Sequence, residues 1–177
     1  MKCFLFIFLF SFAILGEVLK QEPEAREPDI RWKRIELGSY KDSISSNIVE
    51  YKFFDGLTHN GGTLLELLDQ DYLLSHYSND FKHLIVLEEL FSNGDGTNKS
   101  KIIDMIEING LEKNQYISYG FCSIDNVNDS GVFAVYEYEN TEEFTKIYKA
   151  WKAIPKERMI KEINTKGVSC INEGYSV

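Results

Sequence analysis

The residue types in this chain that most often perform chemistry are its three histidines and three cysteines. His59, His76 and His83 are not arranged as H-E-x-x-H or in another paired spacing of metal ligands. The sequence also has no G-x-S-x-G motif and no phosphate-binding glycine loop. We therefore predict no catalytic residue, no metal site and no cofactor, and we expect a protein that is not an enzyme.

The cysteines instead predict one disulfide bond in an exported protein. Residues 1–16 combine a short basic start, an apolar run and a small final glycine, which is typical of a secretory signal peptide. Cys3 would leave with that peptide. The mature chain then keeps Cys122 and Cys170, which the oxidising secretory pathway would join. We expect a secreted, extracellular protein without a membrane span.

Two N-glycosylation sequons fit the same compartment. Asn98 and Asn128 each begin an Asn-x-Ser tripeptide, and both tripeptides lie in polar stretches that contain glycine. Acceptor asparagines of this kind belong on surface loops. The pattern therefore predicts a glycoprotein in which both asparagines are exposed.

Length and charge limit the number of domains and the class of partner. The chain has 177 residues and a formal net charge of -9, which argues against nucleic acid and anionic membranes, since both attract basic patches. After the signal peptide we expect an extended lead over residues 17–29 and a single globular domain over residues 30–177. The oligomeric state stays open.

Most of the domain is predicted to form β-strands. Runs rich in isoleucine, valine, tyrosine and phenylalanine are separated by short polar loops, and loops of that length favour antiparallel neighbours. The predicted strands are Ile30–Leu37, Ile48–Phe54, Lys101–Ile108, Gln115–Ile124 and Gly131–Glu139.

Two other stretches favour helices. Over Thr141–Ala153, a capping threonine and two early glutamates precede four apolar residues at the spacing of one helical face: Phe144, Ile147, Tyr148 and Trp151. Thr63–Tyr77 has leucines closer to a helical stripe than to alternation, with Thr63 as a candidate cap. Phe81–Phe91 fits a strand or a second helix, and its β-branched centre slightly favours the strand.

The first predicted strand and the C-terminal third of the chain resemble the lipocalin family. The sequence WKRIELGSYKDSI, which starts at Trp32, is similar to the first-strand segment of that family. The stretch from Tyr116 to Cys170 is similar to its last two barrel strands, its helix and its C-terminal cysteine. The resemblance implies a mainly β chain with some α: an antiparallel barrel with a C-terminal helix packed outside, in which Trp32 closes the base and Trp151 anchors the helix. The alternative is an α+β fold with helices on one face of an antiparallel sheet.

A lipocalin-like barrel implies a non-enzymatic carrier of a small hydrophobic or amphipathic molecule. The candidate ligand-binding residues are apolar strand side chains and one strand carboxylate: Phe53, Tyr119, Phe121, Phe133, Val135 and Glu137. An amine ligand would pair with Glu137, Glu107 or Asp104. A filled core without a cavity fits the same aromatic residues equally well. The alternative function is a secreted protein-interaction module, an effector or inhibitor that acts through its surface.

Overall fold

The computed structural model describes residues 28–67, 70–92 and 98–175. Across these residues the regular structure consists of β-strands and short 3₁₀ turns, without an α-helix. The predicted signal peptide and nearly all of the predicted lead over residues 17–29 lie outside the described residues. No helical segment in the described part is long and apolar enough to cross a membrane.

The N-terminal part of the domain forms one antiparallel sheet, which we call the long sheet. Its strands are β1 (Arg31–Arg34), β2 (Ile44–Ser45), β3 (Thr58–Leu67), β4 (Gln70–Ser78), β5 (Lys82–Ser92) and β6 (Asn98–Asn109). The order across the sheet is β1–β6–β5–β4–β3, with β2 also paired to β6. Strands β3 to β6 pair with their neighbours in sequence, as short connections favour.

The C-terminal part forms two smaller antiparallel sheets. Its strands are β7 (Gln115–Tyr119), β8 (Cys122–Ile124), β9 (Val127–Asn128), β10 (Val132–Glu137), β11 (Glu143–Phe144), β12 (Ile147–Ile154), β13 (Met159–Ile163) and β14 (Val168–Ile171). The middle sheet has the order β13–β12–β10–β7, and the terminal sheet has the order β11–β14–β8–β9. Strand β7 is therefore an edge strand of the middle sheet.

The main hydrophobic core lies between the long and middle sheets. Ile85 and Ile106 project from the long sheet and Phe133 and Trp151 from the middle sheet, and all four are fully buried. Trp32 packs edge-on against Trp151 with ring centroids 6.1 Å apart. Burial of these side chains is the dominant favourable term holding the two sheets together.

Both sheets are also covered on their outer faces. Residues 35–57, which include three 3₁₀ turns, pack on the long sheet through Phe54 and its neighbours. The terminal sheet packs on the middle sheet through Phe144 and the two cysteines. The inner strands are thus buried on both sides, which explains apolar runs without alternation such as Val132–Val135.

The predicted closed barrel with an outer C-terminal helix is wrong, and so is the α+β alternative. The sheets are open, and Thr141–Ala153 contains β11 and most of β12 where a helix was expected. Ala150 and Trp151 are buried on opposite faces of the middle sheet, the first against the terminal sheet and the second in the main core. Apolar residues on both faces of a strand reproduce the spacing of a helical stripe.

The predicted helix over Thr63–Tyr77 is also wrong, because this stretch forms the hairpin of β3 and β4. Its paired leucines point to opposite faces of the sheet: Leu65 is buried, whereas Leu64 is exposed. Thr63 lies inside β3 and caps nothing. The undecided stretch Phe81–Phe91 is strand β5.

The predicted strand Ile48–Phe54 is wrong as well. It forms two 3₁₀ turns, Ile48–Glu50 and Lys52–Phe54. The turns bury Ile48 and Phe54 against the same face of the long sheet. A strand would also place these two residues on one face, because they are an even number of positions apart. The burial pattern of the side chains therefore did not distinguish the two backbones.

The remaining predicted strands are confirmed, although one of them is divided into two strands. Ile30–Leu37 contains β1, Lys101–Ile108 lies within β6, and Gly131–Glu139 contains β10. Gln115–Ile124 divides into β7 and β8 because Gly120 adopts a φ of 81° between them. That left-handed conformation favours glycine and sends the chain from the middle sheet into the terminal sheet.

Candidate functional site

The turn at Gly120 creates an exposed corner beside the edge strand β7. A Cβ atom added at Gly120 would lie 2.9 Å from Oγ1 of Thr63 in β3, so this corner also contacts the long sheet. The Tyr119 hydroxyl donates a hydrogen bond to the Asn60 carbonyl at 2.9 Å, across the same junction. Phe121, just after the turn, is left 46% exposed.

The C-terminal segment lies against this corner and is fixed by a disulfide bond. Cys122 and Cys170 are directly opposite each other in the β8–β14 pair, and their sulfur atoms are bonded, as predicted. The Ile171 amide donates to the Phe121 carbonyl at 2.9 Å. Asn172 is buried and its side-chain amide donates to the Thr141 carbonyl at 2.8 Å. These bonds hold the turn that follows β14 beside β7.

An open pocket of about 310 Å³ lies between β7 and this C-terminal turn. Three consecutive residues of β7, Ile117 to Tyr119, line it, although their side chains alternate between two faces. The pocket therefore runs along the open edge of the strand. We call it the aromatic pocket, and its other lining residues are Phe121, Tyr136, Phe144, Ile171, Asn172, Glu173 and Gly174.

Aromatic side chains continue from the pocket over the neighbouring surface. We call Tyr116, Phe121, Tyr136, Tyr138 and Phe144 the aromatic surface. Tyr136 stacks on Phe144 with ring centroids 4.0 Å apart, and Tyr116 and Tyr138 pack around this pair. Tyr116 and Tyr138 are each about half exposed. Burial raises the pKa of Tyr136, so its hydroxyl is neutral at physiological pH.

Carboxylates surround the aromatic surface. Glu142 and Glu143 are exposed on the segment that leads into Phe144, and Glu173 lines the aromatic pocket. The pKa of Tyr119 is raised by burial and, to a lesser degree, by the negative charge of Glu173. Within the described ranges none of these three glutamates forms an ion pair with a lysine or arginine. Glu173 is thus the acidic residue of the pocket lining, and Glu142 and Glu143 add negative charge next to Phe144 in the chain.

The predicted ligand-binding residues do not form one site. Tyr119 and Phe121 line the aromatic pocket, whereas Phe133 and Val135 are fully buried in the main core. Phe53 belongs to residues 35–57 and is partly buried with them on the far side of the long sheet. Sequence reasoning did not place Phe144, Ile171 or Glu173 in a binding site.

Glu137, the carboxylate predicted to bind a ligand, is engaged by neighbouring side chains. It lies 2.5 Å from the Lys146 ammonium and accepts a hydrogen bond from the Tyr148 hydroxyl. The bond from Lys146, followed by that from Tyr148, lowers the pKa of Glu137. The carboxylate is therefore ionised and paired on the surface.

The two alternative amine partners are also occupied. The buried Asp104 carboxylate lies 3.1 Å from Nε of Arg34 and accepts the Ile160 amide at 2.7 Å, which links the long and middle sheets. Glu107 pairs with Lys33 at 3.1 Å. Both carboxylates serve contacts within the chain.

Trp32 and Trp151 are structural residues, but not in the predicted roles, since the described residues form neither a barrel for Trp32 to close nor a helix for Trp151 to anchor. Trp151 is fully buried, and Trp32 donates its indole N–H to Glu162 at 2.9 Å while packing on Trp151. Asn98, at the start of β6, and Asn128, in β9, are exposed. Their glycosylation stays a prediction.

Two of the histidines form a pair, in which His76 is buried and His83 is partly buried. Nε2 of His76 lies 3.1 Å from Nδ1 of His83, and Tyr119 packs edge-on against His76. Burial, followed by the charge of His83, lowers the pKa of His76 to about 4, and burial lowers that of His83. Both rings are thus neutral at physiological pH. No group of three potential metal ligands occurs within the part of the chain that the structure describes.

The His76 pKa predicts acid sensitivity. The unfolded chain binds a proton on this ring below about pH 6.5, whereas the folded protein resists it down to about pH 4. Stability is therefore fully present above pH 6.5 and is lost as the pH falls towards 4, by about 3 kcal/mol. Urea unfolding between pH 7 and pH 4.5 measures this loss.

The control for acid sensitivity is a matched histidine substitution. His76→Gln should flatten the pH dependence, whereas His59→Gln, at an exposed histidine, should retain it. An unchanged slope in His76→Gln would assign the acid sensitivity to other groups.

Known proteins give no further guide to this site. Comparison with protein-family models, curated proteins and solved structures gives no match for the chain. The functional inference therefore depends on the aromatic pocket, the aromatic surface and the glutamates near them.

Proposed function

We propose that this protein is a secreted, non-enzymatic binding module that recognises an extended, basic segment of a partner protein. The observation that carries the proposal is the aromatic pocket, which runs along the open edge of β7 beside the aromatic surface. Secretion is supported by the signal-peptide pattern of residues 1–16 and by the disulfide bond.

The edge strand supports an extended partner. Within the described sheets β7 pairs only with β10, so its other edge is not hydrogen-bonded to a described strand. An extended peptide can add to such an edge through main-chain hydrogen bonds, while pockets along the strand select its side chains. The aromatic pocket lies along this edge, where it would receive a side chain of the added strand.

The aromatic side chains support a protein partner. Tyrosine and phenylalanine are enriched in the central part of protein interfaces, where they give large contact areas for little lost conformational freedom. Tyr116, Phe121 and Tyr138 are about half exposed, and the two tyrosines pack against the stacked pair of Tyr136 and Phe144. Tyr116 and Tyr138 are thus held by packing before any partner binds.

The charge of the protein supports a basic partner. The chain has a formal net charge of -9, and Glu142, Glu143 and Glu173 lie around the aromatic surface. Opposite charges across an interface accelerate association and disfavour acidic competitors. A segment that contains lysine or arginine complements these glutamates.

The carrier function expected of a barrel finds no support in the packing of the described residues. Phe133 and Val135 are fully buried among other core side chains, and the sheets do not close around a central cavity. Of the two functions that the sequence left open, the surface module has the support of the exposed aromatic pocket.

Selection from a library of extended peptides tests the proposed function. We expect enriched peptides to contain lysine or arginine next to apolar residues. Tyr116→Ser and Tyr138→Ser should each weaken their binding by about tenfold, since exposed tyrosines at interface centres contribute about 1–2 kcal/mol. Calorimetry or fluorescence anisotropy measures the change.

The matched control is Phe81→Ser, at an aromatic residue that is 84% exposed between β4 and β5. It should leave binding unchanged. Methylation of alternate backbone nitrogens in a selected peptide should abolish binding if the peptide adds to β7. Peptides that bind equally well to all three variants would overturn the proposal.

A further inference from the structure

We infer, on the basis of the proposed function, that the aromatic pocket takes a cationic side chain, arginine or lysine, from the partner segment. Its rings receive the apolar and cationic parts of that side chain, and Glu173 supplies the opposite charge.

The lining of the pocket favours a cation. Tyr119, Phe121, Tyr136 and Phe144 all line it, so a side chain that enters meets aromatic rings from both the middle and the terminal sheets. The faces of such rings carry negative charge density that attracts ammonium and guanidinium groups. The volume of about 310 Å³ accommodates a long side chain.

The position of Glu173 strengthens this preference. It lies in the turn that Asn172 fixes: the Asn172 amide donates to the Glu142 carbonyl at 2.9 Å, and the Asn172 side chain accepts the Gly174 amide at 3.1 Å. The backbone that carries Glu173 is thus fixed beside the pocket, which Glu173 lines.

The charge balance of the pocket points in the same direction. No lysine or arginine is among its lining residues in the described part of the chain. A neutral, apolar side chain would cover the Glu173 carboxylate and remove water from it without a compensating partner, which is unfavourable. A cationic side chain provides that partner.

Two model probes separate charge from shape. The probes are N-acetyl-arginine methylamide and the corresponding citrulline compound, which is nearly the same shape but neutral. We expect the arginine probe to shift the backbone NMR signals of Ser118 and Gly174, and to bind about fivefold more tightly than the citrulline probe, as expected for a partly exposed ion pair. It should also displace a selected peptide.

A matched pair of glutamate variants tests the role of Glu173. Glu173→Gln should weaken binding of the arginine probe about fivefold and leave the citrulline probe unchanged. Glu36→Gln, at an exposed glutamate on the far side of the long sheet, should change neither.

The outcomes distinguish this inference from the proposed function. Equal binding of the two probes, or no effect of Glu173→Gln, overturns the inference, while the proposed function stands if Tyr138→Ser still weakens peptide binding. An arginine probe that shifts the signals without displacing the peptide also overturns it. Absence of any selected peptide overturns the proposed function, whatever the probes show.

Discussion

Trp151→Ala should lower the free energy of unfolding by about 3–5 kcal/mol, as for other truncations of a large buried aromatic residue. Trp151 is fully buried, stacks on Phe133 with ring centroids 5.5 Å apart, and meets Trp32 edge-on. Alanine would leave a cavity between the long and middle sheets, where close packing gives little room to collapse. Urea unfolding, followed by circular dichroism, measures the loss.

Trp151→Phe separates packing from hydrogen bonding. The indole N–H of Trp151 is buried and has no hydrogen-bond acceptor within the described residues. Phenylalanine removes that unsatisfied donor while keeping most of the aromatic contact, so we expect a loss of about 1 kcal/mol.

The control for this core is Phe81→Ala, at an aromatic residue that is 84% exposed. It should change stability by no more than about 0.5 kcal/mol. Similar losses in Trp151→Ala and Phe81→Ala would contradict the placement of Trp151 at the centre of the main core.

The sequence predicted the strands where local pattern and tertiary environment agree. Lys101–Ile108 and Gly131–Glu139 are rich in β-branched and aromatic residues, and both form strands. The pattern failed over Thr141–Ala153 because strand β12 is buried on two faces. Side chains buried on both sides of a strand can match helical spacing, and only knowledge of the neighbouring sheets separates the two possibilities.

The candidate site was harder to predict than the strands. The aromatic pocket joins residues of β7 and β10 to a turn that follows Cys170, about fifty residues later in the chain. It also depends on the left-handed conformation of Gly120, which sequence alone does not distinguish from an ordinary strand glycine. The cysteine pairing was predictable because removal of the predicted signal peptide would leave a single pair.

The disulfide bond is expected to stabilise the protein about as strongly as the central tryptophan. Cys122 and Cys170 are separated by 48 positions, and closing a loop of that length stabilises the folded state by about 4 kcal/mol on the chain-entropy description. The double variant Cys122→Ala/Cys170→Ala should lose about that much in urea unfolding.

The same variant should affect the aromatic pocket before the protein unfolds globally. The bond holds β14 against β8, and the turn carrying Asn172 and Glu173 follows directly. Without the bond we expect faster hydrogen exchange at the Ile171 and Asn172 amides and weaker binding of selected peptides, while the amides of β5 stay protected. Faster exchange at Ile171 and Asn172, with unchanged protection in β5, would show that the loss of stability is confined to the terminal sheet and the turn that follows it.

The neighbouring cross-strand pair provides the control for this disulfide prediction. Ser123 and Ser169 are also directly opposite each other, with their hydroxyl oxygens 3.0 Å apart, but no covalent bond joins them. Ser123→Ala/Ser169→Ala should lose at most about 1 kcal/mol, because both partners of one hydrogen bond are removed together. If the two double variants lost equal stability, the strand pairing would account for the effect. Free thiols at Cys122 and Cys170 in the purified protein would show that no covalent bond contributes to its stability.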